Sequence, residues 1–233
     1  MTSELVRYVD FQDNPEPRCH FVLLVDTSGS MQGPKIDMVN YGLEMLRTDL
    51  CDHDKARNAV ELTVVKFGAT VEPLVTFSRP DAFAPPKLVA GGRTYLAAAI
   101  HCGLDLIERR RETYRQAGVL YYAPWLWCIT DGRPTDYNDI PAAVTRVQQT
   151  ARDPATGKTR VDLFMVGVET PDDPVDLKIL RQLSPQREPL MLRGIHAFQG
   201  MFNWISQSLI AVSQSNPGAQ VSMPRVDGWG TVG

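Results

Sequence analysis

The chain has 233 residues, a length for one large domain or two small ones. Hydrophobic residues make up 43% and charged residues 22%, which supplies enough apolar material for one substantial core. Lys plus Arg number 24 against 27 Asp plus Glu, a net charge of −3, and that near-balance gives no electrostatic basis for binding nucleic acid or an anionic membrane. No apolar run approaches the roughly 18–20 residues of a membrane-spanning helix. The N-terminal residues lack a basic segment followed by an apolar stretch, so no signal peptide is expected. Cys19, Cys51, Cys102 and Cys128 are scattered without a CxxC pair. This reads as reduced, structural thiols in a cytoplasmic protein.

Residues 1–17 read as a loosely held leader ending in Asn14-Pro15-Glu16-Pro17. Cys19 to Val25 is an apolar run that stops at Asp26, the pattern of a buried parallel strand. Pro34 suits the first turn of a helix. Ile36, Val39, Leu43, Leu46 and Leu50 recur at steps of three and four, so 34–51 is an amphipathic helix closed by a polar loop at Asp52–Lys55. Val60 to Phe67 and Val71 to Phe77 are strands joined by Gly68-Ala69-Thr70. That link is too short for a crossover helix, so the pair is an antiparallel hairpin, with Pro73 on an edge.

A loop from Pro80 to Gly92 leads to a helix with Leu96, Ile100, Leu104 and Ile107 inward and Glu108 to Glu112 as its charged end. Tyr121 to Ile129 is the most apolar strand, followed by Thr130-Asp131-Gly132-Arg133-Pro134-Thr135-Asp136. Asn138 or Asp139 caps a helix whose inner face is Ile140, Val144, Val147 and Ala151. Val161 to Val168 is a fifth strand, Asp173 to Leu183 a short helix and Leu190 to Leu192 a brief last strand. Phe198, Phe202, Ile205, Leu209 and Val212 form the final helix. Residues 18–213 make one domain, and the tail, 214–233, either packs on it or is disordered. The alternation predicts a doubly wound α/β fold. Its central sheet is mostly parallel, of about six strands, with one antiparallel edge strand and helices on both faces.

In such sheets ligands sit at the carboxyl ends of the strands. Three loops meet there, bringing Asp26, Ser28 and Ser30 from the first, Thr94 from the second and Asp131 from the third. Taken singly, a hydroxyl before a helix is a cap and an aspartate after a strand is a turn residue. Together they are an oxygen-only set suited to a hard cation such as Mg²⁺, with Mn²⁺ or Ca²⁺ as substitutes, rather than to zinc or copper.

Asp26-Thr27-Ser28-Gly29-Ser30, Thr94 and Thr130-Asp131-Gly132 resemble the metal-ion-dependent adhesion site of von Willebrand factor A (VWA) domains. Three stretches, 24–31, 130–136 and 202–208, resemble more closely the bacterial TerY-type VWA proteins of tellurite-resistance and stress operons. The resemblance implies that Ser28, Ser30 and Thr94 coordinate Mg²⁺ through hydroxyls, while Asp26 and Asp131 act through water and hydrogen bonds. A partner's Asp or Glu then completes the coordination. Arg133, Asp136 and Tyr137 ring that edge, either as a partner-binding rim or simply facing solvent. The implied context is phosphorylation signalling, with a Ser/Thr protein kinase and a PP2C-type phosphatase as partners. An adaptor for an AAA+ ATPase is the alternative within the binding class. A Mg²⁺-dependent phosphohydrolase is the alternative outside it. That reading lacks an acid two residues after Asp26, where Ser28 stands, and a GxxxxGK[ST] loop is also missing. The chain therefore reads as a non-enzymatic interaction module.

Overall fold

The computed structural model describes Phe11 and residues 14–169, 175–226 and 228–232. Most of the expected leader, and the start of the helix expected from Asp173, lie outside the described residues.

The strands are β1 (Cys19–Asp26), β2 (Val60–Phe67), β3 (Val71–Ser78), β4 (Trp125–Thr130), β5 (Asp162–Glu169), β6 (Leu190–Arg193) and β7 (Gly230–Val232). The helices are α1 (Pro34–Cys51), α2 (Asp54–Ala59), α3 (Leu96–Ala117), α4 (Ile140–Ala151), α5 (Leu177–Gln182) and α6 (His196–Ser213). They build one sheet in the order β3-β2-β1-β4-β5-β6-β7. Pairing is parallel from β2 through β6, and β3 is the expected antiparallel edge strand. A seventh strand comes from the tail: β7 pairs antiparallel with β6 on the opposite edge. Its residues show no alternating pattern and are too few to signal a strand on their own.

Two other boundaries move. The loop expected at Asp52–Lys55 ends in α2, a single-turn helix whose Ala56 and Ala59 are buried. The strand expected from Tyr121 begins at Trp125, because Pro124 precedes it and cannot donate to a ladder.

β1 explains the layering. Phe21, Leu23 and Val25 face one core with α1 and α6, while Val22 and Leu24 face a second core with α3 and α4. Alternate side chains of a strand point to opposite faces, and both faces of a parallel sheet are covered, so the run is apolar throughout. Trp125, Trp127, Phe164 and Trp204 pack as one aromatic cluster, with Trp127 stacked on Phe164 at 4.6 Å. Trp204 also donates from Nε1 to the carbonyl of Pro224 at 2.8 Å, which ties the tail to α6. The leader's end is held as well: Asn14 is buried and its side-chain amide donates to Asn58 at 2.8 Å.

At the end of the sheet away from the β1 carboxyl terminus, Glu61 is buried on β2. It accepts two hydrogen bonds from Arg110 and one from Tyr114, each at 2.6 Å. A buried charge persists only when paired and hydrogen-bonded in this way.

The α1–α6 contact depends on Gly42. A Cβ there would lie 2.0 Å from the Phe202 ring, so the two helices approach through a missing side chain. Overpacking of a tight core typically costs about 1–3 kcal/mol. Gly42→Ala is therefore expected to lower stability by about that amount in denaturant melts, and Phe202→Leu in the same chain to restore part of it. An unchanged midpoint for Gly42→Ala would contradict this packing.

Candidate metal centre

The order of the sheet reverses between β1 and β4, whose parallel register pairs Val25 with Ile129. One residue on, Asp26 and Thr130 stand side by side at the carboxyl ends. This is the topological switch point at which open α/β sheets bind ligands. Asp26 is buried, and each of its oxygens accepts a hydrogen bond. Oδ1 takes the backbone N–H of Ser28 at 2.8 Å and Oδ2 takes the Thr130 hydroxyl at 2.6 Å. Burial pushes the Asp26 carboxyl up to about 6, against hydrogen bonds from Thr130 and Ser28 that pull it down. Asp131, also buried, adds a smaller upward push.

Ser28 precedes a short 3₁₀ turn, Gly29–Met31, which turns the chain back over the strand ends. Its hydroxyl lies 3.0 Å from that of Ser30, and the Ser30 hydroxyl donates to Asp131 Oδ1 at 2.7 Å. Thr94 is 5% exposed. A Cβ built on Gly132 would stand 3.5 Å from both the Thr94 and the Ser30 hydroxyl oxygens. The structure therefore brings together Ser28, Ser30, Thr94 and Asp131 at the strand ends, with Asp26 buried beside Ser28.

Backbone contacts hold the three loops in place. Gly29 donates to Gly92 at 3.2 Å and Gly91 to Thr27 at 2.6 Å. Thr27 donates in turn to Phe67 at 2.7 Å. Gly68 permits this approach, because a Cβ there would lie 2.6 Å from the Thr27 hydroxyl oxygen. Thr135 grips the Thr94 backbone from the far side: its N–H donates to Thr94 O at 2.8 Å, and its hydroxyl accepts from Thr94 N at 3.3 Å.

The expected rim residues divide. Asp136 accepts from the N–H groups of Leu96 and Ala98 at 3.0 and 3.1 Å, so its carboxylate caps the start of α3. Tyr137 is exposed and donates to Asp176 at 3.1 Å. Arg133 is exposed.

Three contributors escape a reading by motif. Thr130 and Thr135 lie inside a quoted stretch, yet nothing in their spacing reveals what they bind. Lys35 is the third. In the first turn of α1, it forms an ion pair with Asp131 Oδ2 and donates to the Ser30 carbonyl at 3.1 Å. Among the described residues, no group of three or more His, Cys, Asp or Glu is placed to hold a metal. The rim's donors are mostly hydroxyls, with two carboxylates behind them. That set fits a hard divalent cation. The Lys35 ammonium on Asp131 shows that positive charge is accommodated at the same point.

Residues 21–123 match the family model of the von Willebrand factor type A domain. No curated protein matches the chain. Among solved structures, the pilus adhesin SpaC of Lactobacillus rhamnosus GG is similar at 15% identity and a TM-score of 0.62, over 85% of this chain and 31% of that one. The PilB minor pilin of Streptococcus sanguinis is similar at 11% identity and a TM-score of 0.59, over 84% of this chain and 62% of that one. The vWF domain of the type V pili tip protein Mfa5 of Porphyromonas gingivalis is similar at 11% identity and a TM-score of 0.55, over 88% and 99%. The chain thus spans less than two thirds of the adhesin and of the minor pilin. At these identities the likeness shows the fold. Together with the family match, it supports a VWA domain.

The raised Asp26 group makes stability depend on pH. An acid whose folded value, about 6, exceeds its ordinary 3.8 contributes stability that is complete below 3.8 and lost as pH rises through 6. Asp26→Asn removes that dependence. In EDTA its stability relative to the unsubstituted protein is expected to rise by roughly 3 kcal/mol between about pH 4 and 7. Melts across that range check this, and a difference independent of pH would contradict it.

Proposed function

With a VWA fold and an oxygen-donor rim at its switch point, we propose that this chain is a protein-interaction module that binds a partner carboxylate through a divalent cation, Mg²⁺ foremost. The observation that carries this reading is the convergence of the Ser28, Ser30 and Thr94 hydroxyls with the Asp131 carboxylate at the strand ends. Ser28, Ser30 and Thr94 would hold the ion, with Asp26 and Asp131 behind them. When bound, the ion supplies a Lewis-acidic position for an incoming carboxylate oxygen.

The rest is the work of the chain's own groups. Neutral hydroxyls in the inner coordination leave the positive charge poorly compensated, which favours an anionic partner. Asp26 orients the Ser28 loop through its backbone N–H, and Asp131 orients the Ser30 hydroxyl. Arg133 and Tyr137 are exposed on the loop that follows Asp131, and they would contact the partner around its carboxylate. No group two residues after Asp26 can pass a proton, because Ser28 occupies that position, so the rim supports binding and not phosphoryl transfer.

The cellular side of the proposal rests on the sequence likeness to TerY-type proteins. It makes the module part of a cytoplasmic stress-response pathway whose partners include a Ser/Thr protein kinase and a PP2C-type phosphatase. The VWA domain itself is commonly an interaction module, which agrees with a non-enzymatic role.

Calorimetric titration with Mg²⁺ tests the rim directly. The unsubstituted chain is expected to bind one ion, with affinity falling by about tenfold or more in Ser28→Ala and in Ser30→Ala. Affinity is also expected to fall below about pH 6, where a proton competes for Asp26. Absence of binding, or equal binding in all three chains, would overturn the proposal.

A further inference from the structure

Lys35 stands at the cation rim without belonging to the set of oxygen donors, and its position is electrostatically unusual. It lies in the first turn of α1, directly after Pro34. The positive end of a helix dipole disfavours a cation there. The side chain is nevertheless folded inward, 15% exposed, with its ammonium on the buried Asp131 carboxylate and on the Ser30 carbonyl. Both Asp131 oxygens thereby have a partner: Oδ1 accepts the Ser30 hydroxyl and Oδ2 accepts Lys35. Burial of a carboxylate requires a compensating charge, and Lys35 is the cation paired with Asp131 among the described residues.

Resting on the reading of this rim as a cation site, we propose that Lys35 is a tethered competitor for the metal. A divalent ion held by Ser28, Ser30 and Thr94 stands beside Asp131 and repels an ammonium on the same carboxylate. Metal binding and the Lys35–Asp131 pair therefore exclude one another. Exchange between them sets the cation concentration at which the rim becomes able to take a partner carboxylate. The same pair keeps Asp131 compensated when the ion leaves, so the three loops retain their arrangement at low cation concentration. Lys35 is a regulating group here and not a ligand.

The test measures Mg²⁺ affinity calorimetrically on the full chain with Lys35→Met, Lys35→Gln and Lys35→Arg. Arg47→Met, at an exposed cation on the same helix, serves as a control for the general loss of one positive charge. Lys35→Met and Lys35→Gln are expected to tighten Mg²⁺ binding by about fivefold or more, the scale of a competing contact. Lys35→Arg and Arg47→Met are expected to change it by less than about twofold on the same scale. In EDTA, Lys35→Met should melt below the unsubstituted chain, because Asp131 is left buried without its cation, and saturating Mg²⁺ should close the gap. Equal Mg²⁺ affinity in Lys35→Met and the unsubstituted chain overturns the role of Lys35 and leaves the rim a cation site. Weaker binding, or equal tightening by Arg47→Met, also overturns it. Absence of Mg²⁺ binding in every chain overturns both this inference and the proposed function.

Discussion

The buried carboxylate of Asp26 is the constraint around which this molecule is arranged. A charge at the end of a central strand is costly unless its lone pairs are used. Here the Thr130 hydroxyl from the neighbouring strand and the Ser28 N–H from the following turn use them. Those two bonds fix the separation of β1 and β4 at their carboxyl ends and the path of the chain leaving β1. The compensation is incomplete, since burial still lifts Asp26 to about 6. A site held this way gains from any added positive charge, which links the electrostatics of the fold to cation binding.

The hydrophobic layers make such a site sustainable. α1 and α6 cover one face of the sheet and α3 and α4 the other. The strands β1 and β4, which lead to Asp26 and Asp131, are thus packed on both faces. Above them the loops carry their own lattice of short contacts. Thr27, Gly68, Gly91 and Gly92 approach through glycines, while Thr135 and Asp136 fasten the Thr94 segment to the loop after β4. Stability and function meet at one place here. The buried Asp26 and Asp131 carboxylates, which would be orphaned without partners, hold the Ser28 turn and the Ser30 hydroxyl in place. Lys35 shows the consequence: the fold supplies a cation of its own at the point where charge is most needed.

Much of this was legible in the sequence, for identifiable reasons. The periods of three and four in 34–51 and the uninterrupted apolar run of β1 are strong signals: α1 begins and ends where its period does, and β1 outlasts its run by one residue, Asp26. Pro73 and the three-residue link predicted the antiparallel edge. The aspartate, serine and threonine positions were legible because oxygen donors at strand ends are conspicuous. What escaped reading is what depends on partners distant in sequence. Lys35 looks like an ordinary helix lysine until Asp131 is brought beside it. Asp136 looked like part of a rim, yet its neighbours are the free N–H groups of α3. Gly230–Val232 becomes a strand only because β6 offers an open edge. Glu61 alternates within β2 and shows no sign of the Arg110 that neutralises it.

The proposed divalent-cation site lies among the Ser28, Ser30 and Thr94 hydroxyls. A crystal structure of the chain grown with Mn²⁺, with anomalous diffraction recorded at the manganese edge, tests this most directly. The account predicts one strong anomalous peak bounded by the three hydroxyls, with the Lys35 ammonium withdrawn from Asp131. Saturating Mn²⁺ with no peak there, and Lys35 still paired with Asp131, would contradict it.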